Sequence, residues 1–282
     1  MGSSEAVRLG SSFGIMQGRL SPQNPRAYQA FPEKSWAGEF RLAADYGFQH
    51  IEWVLEGHLL EENPLFVTPS YVSKLANDEG VAVAAVCADF LRDAPLADDN
   101  LDSWRGFEKA IHYASEVGIQ VLVVPCVDSG SLLFEENLSN LKKSLPRAII
   151  AAEANSIDLA LESDLPPDEF NQLLASFDSP NFGVNYDSGD SASLGYDFSE
   201  EMAAYGNRIK HVHLKDRVRG GATIQLGQGQ ADFQKVLQHL LSQNYAGMVT
   251  LQAWRDEAGI PAVQAQIDWL AKHIATDKPN HA

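Results

Sequence analysis

Eight short apolar runs recur along the chain, and amphipathic segments fill the spaces between them. The runs are Phe13–Met16, Phe48–Val54, Val81–Cys87, Ile119–Pro125, Ile157–Glu162, Phe182–Tyr186, Ile209–Leu214 and Met248–Gln252. Several are introduced by a Gly or Asn where a helix should end. Helical spacing of apolar residues marks Ser35–Tyr46, Asp102–Val117, Glu135–Asn155, Phe233–Gln243 and Pro261–Ile274, each with a polar face toward water. Eight repeats of strand then helix, with no long linker, predict a closed parallel (β/α)8 barrel over residues 13–275. Short tails, 1–12 and 276–282, flank it. A doubly wound sheet would carry a Gly-rich phosphate turn after its first strand, and GIMQGRLSP is not one.

At 282 residues the chain suits one barrel domain. Its formal net charge of −17 argues against nucleic acid or an anionic membrane as partner, since both require a basic footprint. No run approaches the length that spans a bilayer, and residues 1–12 lack an apolar core of signal-peptide length, so a cytoplasmic protein is expected. Cys87 and Cys126 are too few for a disulfide framework and lack metal-ligand spacing. They read as small buried residues. The number of subunits is left open, a homo-oligomer included.

In a parallel barrel the working residues stand at the C-terminal ends of the strands. The stretch 209–229, IKHVHLKDRVRGGATIQLGQG, is the richest of these ends. Alternation puts His211, His213 and Lys215 on one face, and two imidazoles with an amine are costly to bury without a compensating ligand or carboxylate. Strand five is apolar until Glu162, a candidate ligand or base. Strand six runs into Asp187 and Asp190, so Glu162, Asp187 and His213 come from successive strands and can converge. Two carboxylates and an imidazole suit one divalent ion, Mn²⁺, Mg²⁺, Co²⁺ or Zn²⁺. Strand eight offers the neutral amide of Gln252 as a fourth ligand. Gln17, Glu52 and Asp89 put further polar groups at the mouth, as substrate contacts. Lys215 and Arg217 follow strand seven, where barrels often bind phosphate, so an anionic group on the substrate is expected to meet them.

These blocks resemble the xylose-isomerase-like TIM barrel sugar isomerases and epimerases, nearest to the L-ribulose-5-phosphate (hexulose-phosphate) 3-epimerase branch. The resemblance is carried by GFQHIEWV, VCADFLRDAP, YDSGD, and above all HVHLKDR followed by LGQGQADF and NYAGMVTLQAW. It implies one divalent metal held by Glu162, Asp187, His213 and position 252. It also implies proton exchange beside a metal-bound carbonyl of a sugar or sugar phosphate, performed by two glutamates on opposite faces. Glu162 would be one of them.

At the other position the chain carries Gln252. An amide oxygen can ligate a hard cation, but an amide cannot serve as a base near neutral pH. Either another group takes the second proton, with Glu52, Asp89, His211 and Asp216 as candidates, or the reaction needs one base, as aldose–ketose isomerisation does. Loss of water, as in dehydratases of cyclic polyols, starts with the same abstraction. A sugar-binding protein that kept the pocket and lost the chemistry is the reading from another class. A DNA-repair endonuclease on this barrel would need a basic groove and more histidines.

Overall fold

In a computed structural model the chain closes into a barrel of eight parallel strands. Residues 12–22, 29–97, 99–255 and 260–276 are described, with 274–276 described by backbone alone; nearly all of the 1–12 and 276–282 tails lies outside them. The strands are β1 (Ser12–Met16), β2 (His50–Val54), β3 (Ala82–Cys87), β4 (Val121–Cys126), β5 (Asp158–Ser163), β6 (Phe182–Asp187), β7 (Ile209–Leu214) and β8 (Met248–Leu251). Each pairs with its sequence neighbours and β1 closes on β8, with Phe13 opposite Val249 and Ile15 opposite Leu251.

The outer helices include α1 (Trp36–Asp45), α2 (Pro69–Glu79), α3 (Leu101–Val117), α4 (Glu135–Ala154), α5 (Pro167–Ala175), α6 (Phe198–Tyr205), α7 (Phe233–Ser242) and α8 (Ile260–Thr276). In α3 the Asn100 side chain accepts a hydrogen bond from Ser103 N, and Gly118 ends the helix at φ 87°, a left-handed conformation that glycine adopts without steric cost. Its buried stripe of Trp104, Phe107, Ile111 and Ala114 recurs every three to four residues and packs on the barrel. Burying a side chain such as Phe107 is worth roughly 1.5–3 kcal/mol. Helices α2, α5 and α6 fill places that the eightfold rhythm of strand and helix requires, at bounds that no marked helical pattern gave. Two of them start with Pro at the first turn, where its missing N–H is harmless.

Outward residues such as Ile51, Trp53, Leu122, Leu159, Val212 and Val249 join the helices in one large apolar cluster. The inward face is different in kind. Its apolar residues form a separate cluster of small or slender side chains, among them Ala85, Cys87, Val123 and Ala160. The rest of that face is polar: His50, Glu52, Asn185, His211, His213 and Thr250 are all 2% exposed or less. Gly14 makes room for this arrangement, because a Cβ there would lie 2.2 Å from the His50 ring. Among the described residues no helix is long and apolar enough to cross a membrane.

Candidate active site

Register decides which polar groups meet. An irregularity between β6 and β7 lets Val184 pair with Ile209 while Asn185 pairs with His211 and Asp187 with His213, and β8 sets Thr250 beside His213. Both histidines therefore enter the barrel, as alternation predicts. Asp187 ends β6 and begins a short helix, Ser188–Leu194. Its Oδ1 accepts from Gly189 N and Asp190 N, each at 2.8 Å. Its Oδ2 lies 2.8 Å from Lys215 Nζ and 3.5 Å from His213 Nδ1, yet makes no hydrogen bond of good geometry. These contacts are ion pairs of proximity, and that oxygen remains an acceptor without a hydrogen bond.

His213 links two carboxylates. Its Nε2 is 3.0 Å from both oxygens of Glu52, a wholly buried acceptor, so the ring carries its proton there and turns Nδ1 toward Glu162 Oε2 at 3.1 Å. Asn185 bridges the same pair, donating from Nδ2 to Glu162 Oε2 at 2.5 Å and facing His213 Nδ1 at 3.0 Å. His211 holds that amide in place by donating from Nδ1 to Asn185 Oδ1 at 2.8 Å. Its Nε2 meets Thr250 Oγ1 at 3.0 Å, and Thr250 in turn meets His50 Nε2 at 3.1 Å. Burial pushes His211 down to about 3 and His50 down to about 4, so both rings are neutral, as such a chain of donors and acceptors requires.

Glu162, Asp187 and His213 each bring one ligand atom to within 4.8 Å of the others. A divalent ion fits this set on two grounds. Asp187 Oδ2 and Gln252 Oε1 are buried oxygens without hydrogen-bond partners, an arrangement that is costly unless something binds them. The protons are also right in number. Burial, with Asp187 and Asp190 adding to it, pushes Glu162 up to about 7. Burial opposes charge on His213, but Glu52, with the carboxylates of Asp187 and Glu162 close to the ring, outweighs it and holds the imidazole well above its usual range. The two protons held there can be replaced, charge for charge, by a dication. Glu52, His211 and His213 also cluster, beneath the first set.

This proton count predicts how affinity depends on pH. Both groups bind their protons more tightly than they would in water, so metal must displace protons from both at low pH and fewer once Glu162 has titrated above about 7. Affinity for Mn²⁺ or Zn²⁺ should rise with pH, more steeply between 5.5 and 6.5, on the order of a hundredfold per unit, than above 7.5. Chelator competition across that range checks it, and a flat profile would remove these groups as ligands.

Above the ligand atoms opens a cavity of about 500 Å³. Glu162 and Gln252 line it, with Asp89, Asp190, Lys215 and Arg217. The other expected site residues sit elsewhere. Gln17 turns inward, its Oε1 accepting from Val54 N at 3.0 Å. Glu52 and His211 lie below the cavity, fully buried. Asp216 spends its oxygens on Gly227 N, Gly229 N and Ala231 N, at 2.8–3.0 Å, and so fixes the loop after β7. Of the four candidates for a second base, Asp89 alone lines the cavity, with Cys87 Sγ donating to it at 3.3 Å. Cys126 is buried as expected, while Cys87 is buried and also reaches the cavity. Sequence reasoning passed over Asn185, Arg92 and Asp128. Asn185 carried a signal: it is a polar residue in a core strand, two before Asp187 and therefore on the same face.

Both cations expected to meet an anion are already paired. Lys215 Nζ is 2.8 Å from Asp187 and 2.8 Å from Asp190, and Arg217 Nη1 donates to Asp190 Oδ1 at 2.7 Å.

Comparison with known proteins agrees with this architecture. The sequence profile of the xylose isomerase-like TIM barrel family matches residues 40–273. A 2-epi-5-epi-valiolone 7-phosphate 2-epimerase of Actinoplanes is 25% identical over 268 residues, 92% of this chain and 93% of that protein. An inosose dehydratase of Clostridium perfringens is 26% identical over 171 residues, 52% of this chain and 56% of that one. Among solved structures, an IolI protein with a bound zinc atom superposes with a TM-score of 0.74 at 16% identity, covering 95% of this chain and 99% of the other.

Proposed function

Since the chain belongs to the xylose isomerase-like TIM barrel family, we propose that it is a metal-dependent isomerase or epimerase of a sugar or closely related polyhydroxylated ketone. The observation that carries this reading is the meeting of Glu162, Asp187 and His213 within 4.8 Å of one another, with Glu162 also lining the cavity. Glu162, Asp187, His213 and Gln252 would hold the ion. When bound, it supplies Lewis acidity to adjacent carbonyl and hydroxyl oxygens. Glu162 is the proton acceptor: its carboxyl lines the cavity, and beside a bound ion it would lose its own proton and stand as a carboxylate able to take one from the substrate. Asn185 orients the accepting carboxylate, and Glu52 keeps His213 in the tautomer that presents Nδ1. Among the second-base candidates Asp89 is the one placed to reach a substrate.

Dehydration of a cyclic polyol is the second reading. Gln252 favours it, since a single abstraction followed by loss of hydroxide needs no base on the opposite face, and so does the partial match to inosose dehydratase. Product analysis separates the two.

Gln252→Glu tests the assignment. The change is nearly isosteric, and it adds a full charge beside the metal, so affinity should rise by about tenfold or more. Greater stereochemical inversion would mark the second base as the missing part. If neither metal affinity nor any rate moves, position 252 does not face the ion.

A further inference from the structure

Gln252 stands where the resemblance implies a glutamate, and on the premise that the reading above holds, its amide meets the ion beside Glu162, Asp187 and His213. An amide can present either its oxygen or its nitrogen, and only the oxygen can bind a hard cation. Its direction is decided outside the ligand set. Arg19 is buried, 1% exposed, and its guanidinium carries donors alone. Arg19 Nη2 donates to Gln29 Oε1 at 2.7 Å, which fixes that end of the Gln29 amide as its oxygen. The same Oε1 lies 3.3 Å from the Gln252 side chain, which must therefore offer its nitrogen there. Met16 Sδ, also 3.3 Å from that nitrogen, is a second atom with no proton to give. The Gln252 oxygen is thus turned away from both. It is buried and makes no hydrogen bond among the described residues, and Gln29 and Gln252 both line the cavity.

A glutamate at this position would add charge to the ion's shell, but one of its oxygens would face Gln29 Oε1 and Met16 Sδ, two acceptors, with nothing to hydrogen-bond. These surroundings suit an amide. We propose that Gln252 is an oriented neutral ligand, not a base that has been lost, and that Gln29 is the positioning residue that turns its oxygen toward the ion, held in its own sense by Arg19. Gln29 touches no reacting atom in this account and acts through Gln252.

The test is a double-mutant cycle on the full-length protein, read as Mn²⁺ affinity by chelator competition, with no substrate and no turnover. Gln29→Leu removes the acceptor and frees the Gln252 amide to turn. Affinity should fall about tenfold, the low end of the loss that follows removal of a metal ligand's outer partner. In Gln252→Glu the same change should cost nothing or tighten binding, because a carboxylate presents oxygen in either sense and is relieved of an opposing acceptor. Gln29→Ala carries the same pair of expectations, and thermal melts show that each variant is folded. Unchanged affinity in the folded Gln29 variants would overturn the proposal. So would an equal loss in both backgrounds, which would mark Gln29 as a prop of the loop after β1. Either result leaves metal binding by Glu162, Asp187 and His213 standing, whereas a wild type that binds no Mn²⁺ would sink that reading and this proposal with it.

Discussion

Replacing His213 with alanine is expected to strip the protein of its divalent ion and to lower its melting temperature even when metal is absent. The first effect follows from losing Nδ1, the nitrogen that faces Glu162 and Asp187. Losing an outer partner of a metal ligand costs about 10–100-fold in affinity, and losing the ligand itself should cost more. The second follows from Glu52. That carboxylate is wholly buried, which opposes its ionisation, yet its pKa is lowered to about 2 because the protonated His213 beside it outweighs desolvation. Removing one member of a buried pair leaves an uncompensated charge worth about 3–5 kcal/mol, of which His211, at 3.3 Å, can relieve part. Elemental analysis after dialysis and a melt in excess chelator measure the two effects separately. Wild-type metal content in the variant would refute the site.

Glu162→Gln should leave a folded protein and remove the chemistry. The amide has nearly the shape of the carboxylate and can still accept from Asn185 Nδ2. It cannot take a proton near pH 7, and loss of a general base costs about 10²–10⁴ in rate. The comparison must be made at saturating metal, since Glu162 is also a proposed ligand. Exchange of substrate hydrogen within tenfold of wild type would assign the base elsewhere, and Asp89 would be the next candidate.

Much of this was legible in the residues. Period-two alternation told which side of β7 carries His211 and His213, and strand order told that Glu162, Asp187 and His213 stand side by side. These are local patterns, and the barrel turns them into geometry. What stayed hidden depends on partners far apart in the chain. Glu52 read as a mouth residue, because nothing near it reveals that its donor lies 161 positions away on His213. His211 read as a base until its ring was seen to hold Asn185 and Thr250. Lys215 and Arg217 read as a cationic loop awaiting an anion, because pairing with Asp190 requires the short helix after β6 to lie against the end of β7. In each case residue type was informative and direction was not, since direction is set by register irregularities and packing that no short window encodes.

The central claim is that Glu162 removes a carbon-bound proton beside a carbonyl oxygen polarised in this cavity. Its most direct test is a proton NMR screen of free ketoses and cyclitol ketones in D₂O with the metal-loaded wild type. The account predicts loss of signal at a single carbon adjacent to the carbonyl, abolished by chelator and by Glu162→Gln. A sugar that stabilises the metal-loaded fold yet exchanges no carbon-bound hydrogen would contradict it, and would identify a binding protein in place of a catalyst.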